Sequence, residues 1–293
     1  MPCVERPKLS DLGLKPRDAT LFIKSQWPVP RAIFVCWRVF LAVYLFAWLV
    51  YDFIYDVNLG GQFSLAGFFI FLTNWSYTVF TIYALLSCIG AIFFDRPRKR
   101  RLVIPTNTTN DYEAANQEDD SESSLLISDQ PADRAKTATA LPAYLKLAWV
   151  LFSICLSVNP VVTVVYWWFL NPPVQSAASM ALNVHVHALN TGFLYVDLGF
   201  SATPVRAAHV VYSIAYGLIY LAFTLVYYLA GGGNPLDHGK PAIYPGLLDW
   251  SQAGRTVGVV TAVMVCNCLV YFLGYGMYRL RVWIHRRFVA PTD

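Results

Sequence analysis

Residues 207–230 read AAHVVYSIAYGLIYLAFTLVYYLA and contain no Asp, Glu, Lys or Arg. A helix at the surface of a soluble protein keeps a polar face; a segment apolar on every side needs surroundings that are equally apolar. About 20 such residues cross the roughly 30 Å of a bilayer's hydrocarbon at a rise of about 1.5 Å each. A helix can do so because its backbone hydrogen bonds are satisfied within the segment. Outward from this stretch, five more, near 32–54, 66–94, 145–170, 178–200 and 256–279, pass the same test. The expected fold is all-α, a polytopic transmembrane helix bundle of about six spans.

Composition agrees. Hydrophobic residues make up 56% of the chain, charged residues 14%, and mean hydropathy is +0.45, against roughly 45–50% and 25% in soluble domains. The 66–94 stretch is long enough to tilt or project. The 178–200 stretch is the most polar, interrupted by Asn183, His185, His187, Asn190 and Asp197, and a semi-buried or re-entrant segment is its competing reading. Residues 1–25 lack the short apolar core of a cleavable signal, so the first span is expected to target the chain itself.

Lys and Arg beside short connections set orientation. Arg6, Lys8, Lys15, Arg17, Lys24 and Arg31 precede the first span; Arg96, Arg98, Lys99, Arg100 and Arg101 follow the second; Arg279, Arg281, Arg286 and Arg287 close the chain. All fall on one side, whereas 57–65 and 171–177 have no Lys or Arg. Both termini are therefore expected in the cytoplasm. The divisions are an N-terminal segment 1–31, helices 1–2 over 32–94, a linker 95–143, helices 3–6 over 144–279 and a tail 280–293. The net charge of +4 follows from this topology, so the expected partners are membrane lipids and no nucleic acid. The protein belongs in the plasma membrane or an endomembrane.

The linker passes from its basic block into Asn116-Gln117-Glu118-Asp119-Asp120-Ser121-Glu122-Ser123-Ser124, too poor in apolar residues to fold. Glu122 to Ile127 has the form of an acidic dileucine sorting signal, with a plain solvated linker as the alternative. The six cysteines offer no disulfide on the outer side: five fall inside spans and Cys3 is cytoplasmic. Cys266 and Cys268, two apart on a helix, point to different faces and read as packing residues rather than a metal pair. No phosphate-binding glycine loop, dinucleotide fingerprint, zinc helix or nucleophile elbow occurs, so neither cofactor nor metal is expected. Tyr166, Trp167, Trp250 and other aromatics near span ends read as an interfacial belt.

Polar groups at membrane depth are costly, which makes them candidates for function. In the fourth span Asn183, Asn190 and Thr191 share the helical face of His187, while His185 points away. In the second, Thr73, Ser76 and Tyr77 share a face beside Asn74. Counted from the outer ends of their spans, Thr73 and His187 both lie roughly 10–14 Å deep, so one cavity could hold them. A neutral, desolvated histidine can take the proton of a hydroxyl nucleophile, and such a pair beside lipid suits attack on a lipid ester. The alternative is that Thr73 bonds its own i−4 carbonyl and His187 joins helices. Asp197 is expected to pair with Arg206 or to reach the interface.

Phe22-Ile23-Lys24-Ser25-Gln26-Trp27, Phe71-Leu72-Thr73-Asn74-Trp75, His185-Val186-His187-Ala188-Leu189-Asn190 and Ile243-Tyr244-Pro245 with Leu248-Asp249-Trp250 resemble the rolling stone family of multipass membrane proteins. The resemblance implies a part in myoblast fusion during muscle development. More distantly, Phe71-Leu72-Thr73, the Asn183-x-x-x-His187 spacing and Tyr244-Pro245 are similar to the androgen-induced family of intramembrane threonine hydrolases. That likeness implies Thr73 as nucleophile and His187 as base on fatty-acid esters, with Asn74, Ser76, Tyr77, Asn183 and Asn190 as supporting or substrate-binding groups. The match departs at Val184, where that family has a histidine. Two functional readings follow, an intramembrane lipid-ester hydrolase and a non-enzymatic protein of cell–cell fusion; a transporter ranks behind both, for want of an inverted repeat.

Overall fold

The computed structural model describes residues 9–16, 18–55, 65–94, 141–171, 176–237 and 239–289. Residues 95–140 of the expected linker, with the dileucine-like segment, lie outside the described residues, and the expected linker end at 143 is already the first residue of a helix. Among the described residues five helices are long and apolar enough to cross a membrane: α1 (Arg31–Ile54), α2 (Leu72–Phe93), α3 (Ala143–Val165, continued by a π-helical turn Tyr166–Leu170), α6 (Val210–Leu229) and α7 (Ala253–Phe288). The sixth expected span is a composite. It consists of α4 (Ala177–Asn183), a π-helical stretch Val184–Leu189, and α5 (Asn190–Phe200), too broken and polar to count as a sixth apolar rod. The described residues form no strand, only three isolated bridges, and the chain is an all-α multipass membrane protein.

α3 is the pillar. In its most apolar window 67% of residues are shielded by protein, against 17% for α7, so α3 is ringed by neighbours while α7 faces lipid. Phe152, Cys155 and Leu156 of α3 meet Leu41 and Leu45 of α1, Tyr77 and Phe80 of α2, and Tyr271 of α7 in one core. Without a hydrophobic drive between helices in lipid, close approach and polar contacts hold them together. A Cβ built on Gly274 would lie 2.7 Å from Leu156 Cγ, and one on Gly90 2.6 Å from Leu145 Cδ2. Asn159 Nδ2 donates to Asn190 Oδ1 at 2.9 Å, the hydroxyls of Ser157 and Ser213 are 2.6 Å apart, and Asn267 Nδ2 donates to Ser213 at 2.8 Å.

Two expectations change. Asp197 does not pair with Arg206. Its carboxylate accepts from Arg38 Nη1 at 2.8 and 3.0 Å, from Trp37 Nε1 at 2.8 Å and from Tyr83 Oη at 2.5 Å, and neither charged side chain is exposed. Residues from α1, α2 and α5 thus converge on one buried ion pair. Arg206 instead donates to the carbonyls of Asp11, Gly13 and Lys15 and lies over the Trp149 ring at 4.6 Å. The second change concerns 66–94, which is not one helix. A single turn at Leu65–Phe68 is followed by a break, and α2 begins after Phe71, whose backbone is extended (φ −90°, ψ 131°). The break is held by side chains: Asn74 Nδ2 donates to Phe68 O at 2.7 Å, Trp75 Nε1 to Phe69 O at 2.6 Å, and Tyr220 Oη to Ile70 O at 2.8 Å.

The N-terminal segment closes one end of the bundle. Gln26 N–H donates to Phe200 O, Ala202 N–H to Lys24 O and Trp27 Nε1 to Gly199 O, all near 3 Å. Arg281 near the end of α7 donates to the carbonyls of Leu198, Ser201 and Thr203, satisfying the C-terminal end of α5. Residues 18–27, the 198–206 connection and the basic end of α7 therefore share one end. α7 runs to Phe288 rather than to 279, and its 36 residues exceed the bilayer's hydrocarbon at about 1.5 Å each. The 231–249 segment packs on the opposite end, where Ile243 and Leu248 meet Ile70 and Tyr220.

Candidate functional site

Because α2 starts late, Thr73 lies in its first turn rather than several residues deep, which removes the helix-counting basis for a matched depth with His187. What Thr73 gains is a cavity. Half-buried, it lines an apolar space of about 140 Å³ enclosed by α3, α6, α7 and the 244–248 turn, with Val161, Val165, Tyr166 and Tyr220 among its neighbours. Pro160 in α3 immediately precedes this wall. The Thr73 hydroxyl makes no hydrogen bond to any described residue, so the i−4 bond does not occur.

Tyr244 forms the polar rim. Its hydroxyl accepts the Leu72 N–H at 2.8 Å, capping α2, and stands 3.5 Å from that of Tyr220. Burial pushes the Tyr244 hydroxyl up to about 12, so it is a neutral hydrogen-bond donor at physiological pH. Tyr244 and Tyr220 were not singled out as site residues by the sequence reading. The signal for Tyr244 was present in the Tyr244-Pro245 match, whereas Tyr220 is one tyrosine among several in its span.

His187 does not reach the cavity. It sits in the π-helical stretch, 4% exposed, and its ring stacks on Tyr166 at 3.6 Å and 7°. Tyr166, read from sequence as an interfacial aromatic, is thus the element shared by cavity and histidine. Among the described residues His187 Nδ1 has no hydrogen-bond partner, which leaves an imidazole nitrogen beneath the cavity wall. The π turn shifts the backbone register, a distortion often found at functional sites. Thr163 Oγ1 donates within reach of the His187 carbonyl at 2.8 Å and lies 2.7 Å from Thr191 Oγ1.

His185 turns the other way, as its spacing predicts: it stacks on Trp48 at 3.5 Å and shares a short hydrogen bond with Tyr44. Among the described residues no group of three His, Cys, Asp or Glu side chains could hold a metal. The remaining candidates are dispersed. Asn74 is spent on the Phe68 carbonyl, Ser76 donates to Thr73 O at 2.9 Å, and Asn190 accepts from Asn159. Asn183 lies 3.5 Å from Ser179 Oγ, and Tyr77 is fully buried in the core with Leu182 and Val186. Thr73 and Tyr77 therefore face different surroundings despite their spacing of four.

Comparison with known proteins places the chain. The family model described as Protein rolling stone matches residues 116–291. Protein rolling stone of Drosophila melanogaster is 25% identical over 289 residues, covering 95% of this chain and 90% of its own length. No solved structure matches. With more than half its length matched by that model and the bundle described above, this chain belongs to the rolling stone family.

Proposed function

We propose that this protein is an intramembrane hydrolase of lipid esters, with Thr73 as nucleophile, His187 as base and both termini in the cytoplasm. The observation that carries this reading is that Thr73 lines an apolar cavity whose wall includes Tyr166, and that Tyr166 stacks on His187, whose Nδ1 has no hydrogen-bond partner among the described residues. Thr73 Oγ1 attacks the ester carbonyl carbon as its proton passes to His187. The tetrahedral intermediate collapses, the alcohol leaves with that proton, and an acyl-threonine remains. Water then attacks the acyl carbon, giving a proton to His187, and the fatty acid leaves as Thr73 regains its hydrogen. Catalytic contacts commonly tighten only with substrate bound, and here Tyr166 must turn aside for the proton to pass. Tyr244, which lines the same cavity, donates to the carbonyl oxygen as charge develops. Incubation of the purified protein with long-chain fatty-acid esters, beside Thr73→Ala and His187→Ala, tests this. Both variants are expected to lose turnover, and equal turnover by all three proteins refutes it.

A role in cell–cell fusion is the second reading. It is favoured by the 231–249 segment, a built structure with bridges Asn234 to Lys240 and Tyr244 to Leu248 that leaves Leu236 55% exposed. Leu236→Asp leaves the cavity lining intact and should lower fusion between expressing cells; unchanged fusion removes this reading.

A further inference from the structure

The cavity beside Thr73 continues toward the bilayer. Leu221, Val260 and Met264 line it and also line a second, wider groove of about 540 Å³ along the outer seam of α6 and α7. Leu218, Val257, Val265 and Leu269 of that groove are each more than half exposed, which in a membrane-spanning bundle means exposed to lipid. Gly217, which lines the inner cavity, and Met264, which lines both spaces, mark a close approach of α6 and α7. A Cβ on Gly217 would lie 2.9 Å from Met264 Sδ, so the absence of a side chain at Gly217 is what lets Met264 lie in the seam. A methionine is unbranched with three rotatable bonds and can leave such a position at small cost.

The described residues that line the two spaces carry no charge, a lining that suits an apolar chain rather than an ion-paired headgroup. The inner cavity is about the size of one that accepts a benzene molecule. It holds a short apolar stretch, and a long chain must leave it through a wall. Thr73, Tyr220 and Tyr244 all line the inner cavity, and the two tyrosine hydroxyls lie 3.5 Å apart.

We propose that these two spaces form one binding site for a single acyl chain of a bilayer lipid, loaded sideways from the membrane. The ester or carboxyl end lies at Thr73 and Tyr244, and the tail passes Met264 into the α6–α7 seam. This rests on reading the cavity as substrate-binding, though not on any chemistry at Thr73.

The test uses the full chain in phosphatidylcholine nanodiscs with two 16-carbon fatty-acid methyl esters, one carrying a diazirine near the carbonyl and one at the tail. Photolysis and peptide mapping should place the carbonyl-end probe on residues 72–73 and 244–248 and the tail probe on 257–269. Met264→Trp plugs the seam and should cut carbonyl-end labelling about tenfold, the equivalent of about 1.4 kcal/mol. Val43→Trp, at a lipid-exposed site on α1, should leave it unchanged. Met264→Ala, which cannot fail by overfilling, should label faster than the wild type. Wild-type labelling of both Met264 variants overturns the proposal, as does carbonyl-end labelling of α1 equal to that of 72–73. Retained labelling by a Thr73→Ala protein that has lost no turnover refutes the hydrolase reading alone.

Discussion

Replacing Asp197 by Leu should damage the protein more than replacing Asp197 and Arg38 together. Asp197 accepts four hydrogen bonds, two from Arg38 Nη1 and one each from Trp37 and Tyr83, and both charged side chains are wholly buried. Removing the carboxylate leaves the Arg38 charge uncompensated, at a cost of about 3–5 kcal/mol. It also strands the Trp37 N–H, at about 1–3 kcal/mol. The single variant should therefore lose at least about 4 kcal/mol, roughly a thousandfold in the folded-to-unfolded ratio. Arg38→Met alone strands the carboxylate and should lose a similar amount. The double variant Arg38→Met/Asp197→Leu buries no charge and retains only the stranded neutral donors, so about 2 kcal/mol is expected. Unfolding equilibria in mixed micelles of rising dodecyl sulfate fraction, followed by tryptophan fluorescence, give the three values. A double-variant loss equal to the sum of the two single losses would show no coupling between the pair and refute the reasoning.

Arg281→Ala should cost about 1–3 kcal/mol and loosen the 198–203 connection, because three carbonyls lose their donor; unaltered hydrogen exchange at the Ala202 amide would contradict this. Gly274→Val places a branched side chain where a Cβ alone would meet Leu156 at 2.7 Å and should destabilise by about 1–3 kcal/mol through overpacking. Wild-type stability in the same micelle titration would show that α3 and α7 have room to part. Partial burial alone would raise the Asp18 carboxyl, but two hydrogen bonds from Thr20 and the nearby Lys24 outweigh it and hold the group below its ordinary range. A depressed folded value contributes stability that is present above the unfolded value of about 3.9 and is lost as pH falls through the folded one. The protection factor of the Thr20 amide should accordingly fall below about pH 4, and a constant factor from pH 6 to pH 3 would contradict this.

The apolar rods were legible because hydropathy over about 20 residues is a local property. Residues 32–54, 145–170 and 207–230 correspond closely to α1, α3 with its π turn, and α6. The polar interruptions at 178–200 correctly marked that span as unusual, but a regular 3.6-residue wheel cannot foresee a π-helical stretch between Val184 and Leu189. Nor could the sequence foresee the break before Leu72, since the groups that hold it include Tyr220, 150 residues away. Arg38 was the missed signal. An arginine within an apolar span demands a partner, yet the choice of Asp197 depends on packing between helices 159 residues apart. Thr73 and His187 stand out in the sequence by residue type and resemblance, but the structure does not bring them together: Thr73 lines the cavity, His187 does not, and Tyr166, which lines it, stacks on His187. Tyr166 looked like any interfacial aromatic because its position near a span end fits that role equally well.

The strap formed by residues 18–27 also imposes an order on biosynthesis. Ser25 hydrogen-bonds Phe200, 175 residues later, so the earliest part of the chain cannot reach its resting place until most of the later part exists. At about 5–20 residues per second the ribosome needs roughly 9–35 s to make that interval. Through it α1 and α2 wait in the membrane with the Arg38 charge unanswered, since Asp197 too is still to come. Assembly of this bundle is thus a late event in which the last-made helices complete the first, and the nascent N-terminal half is the form of the molecule most in need of a chaperoning neighbour.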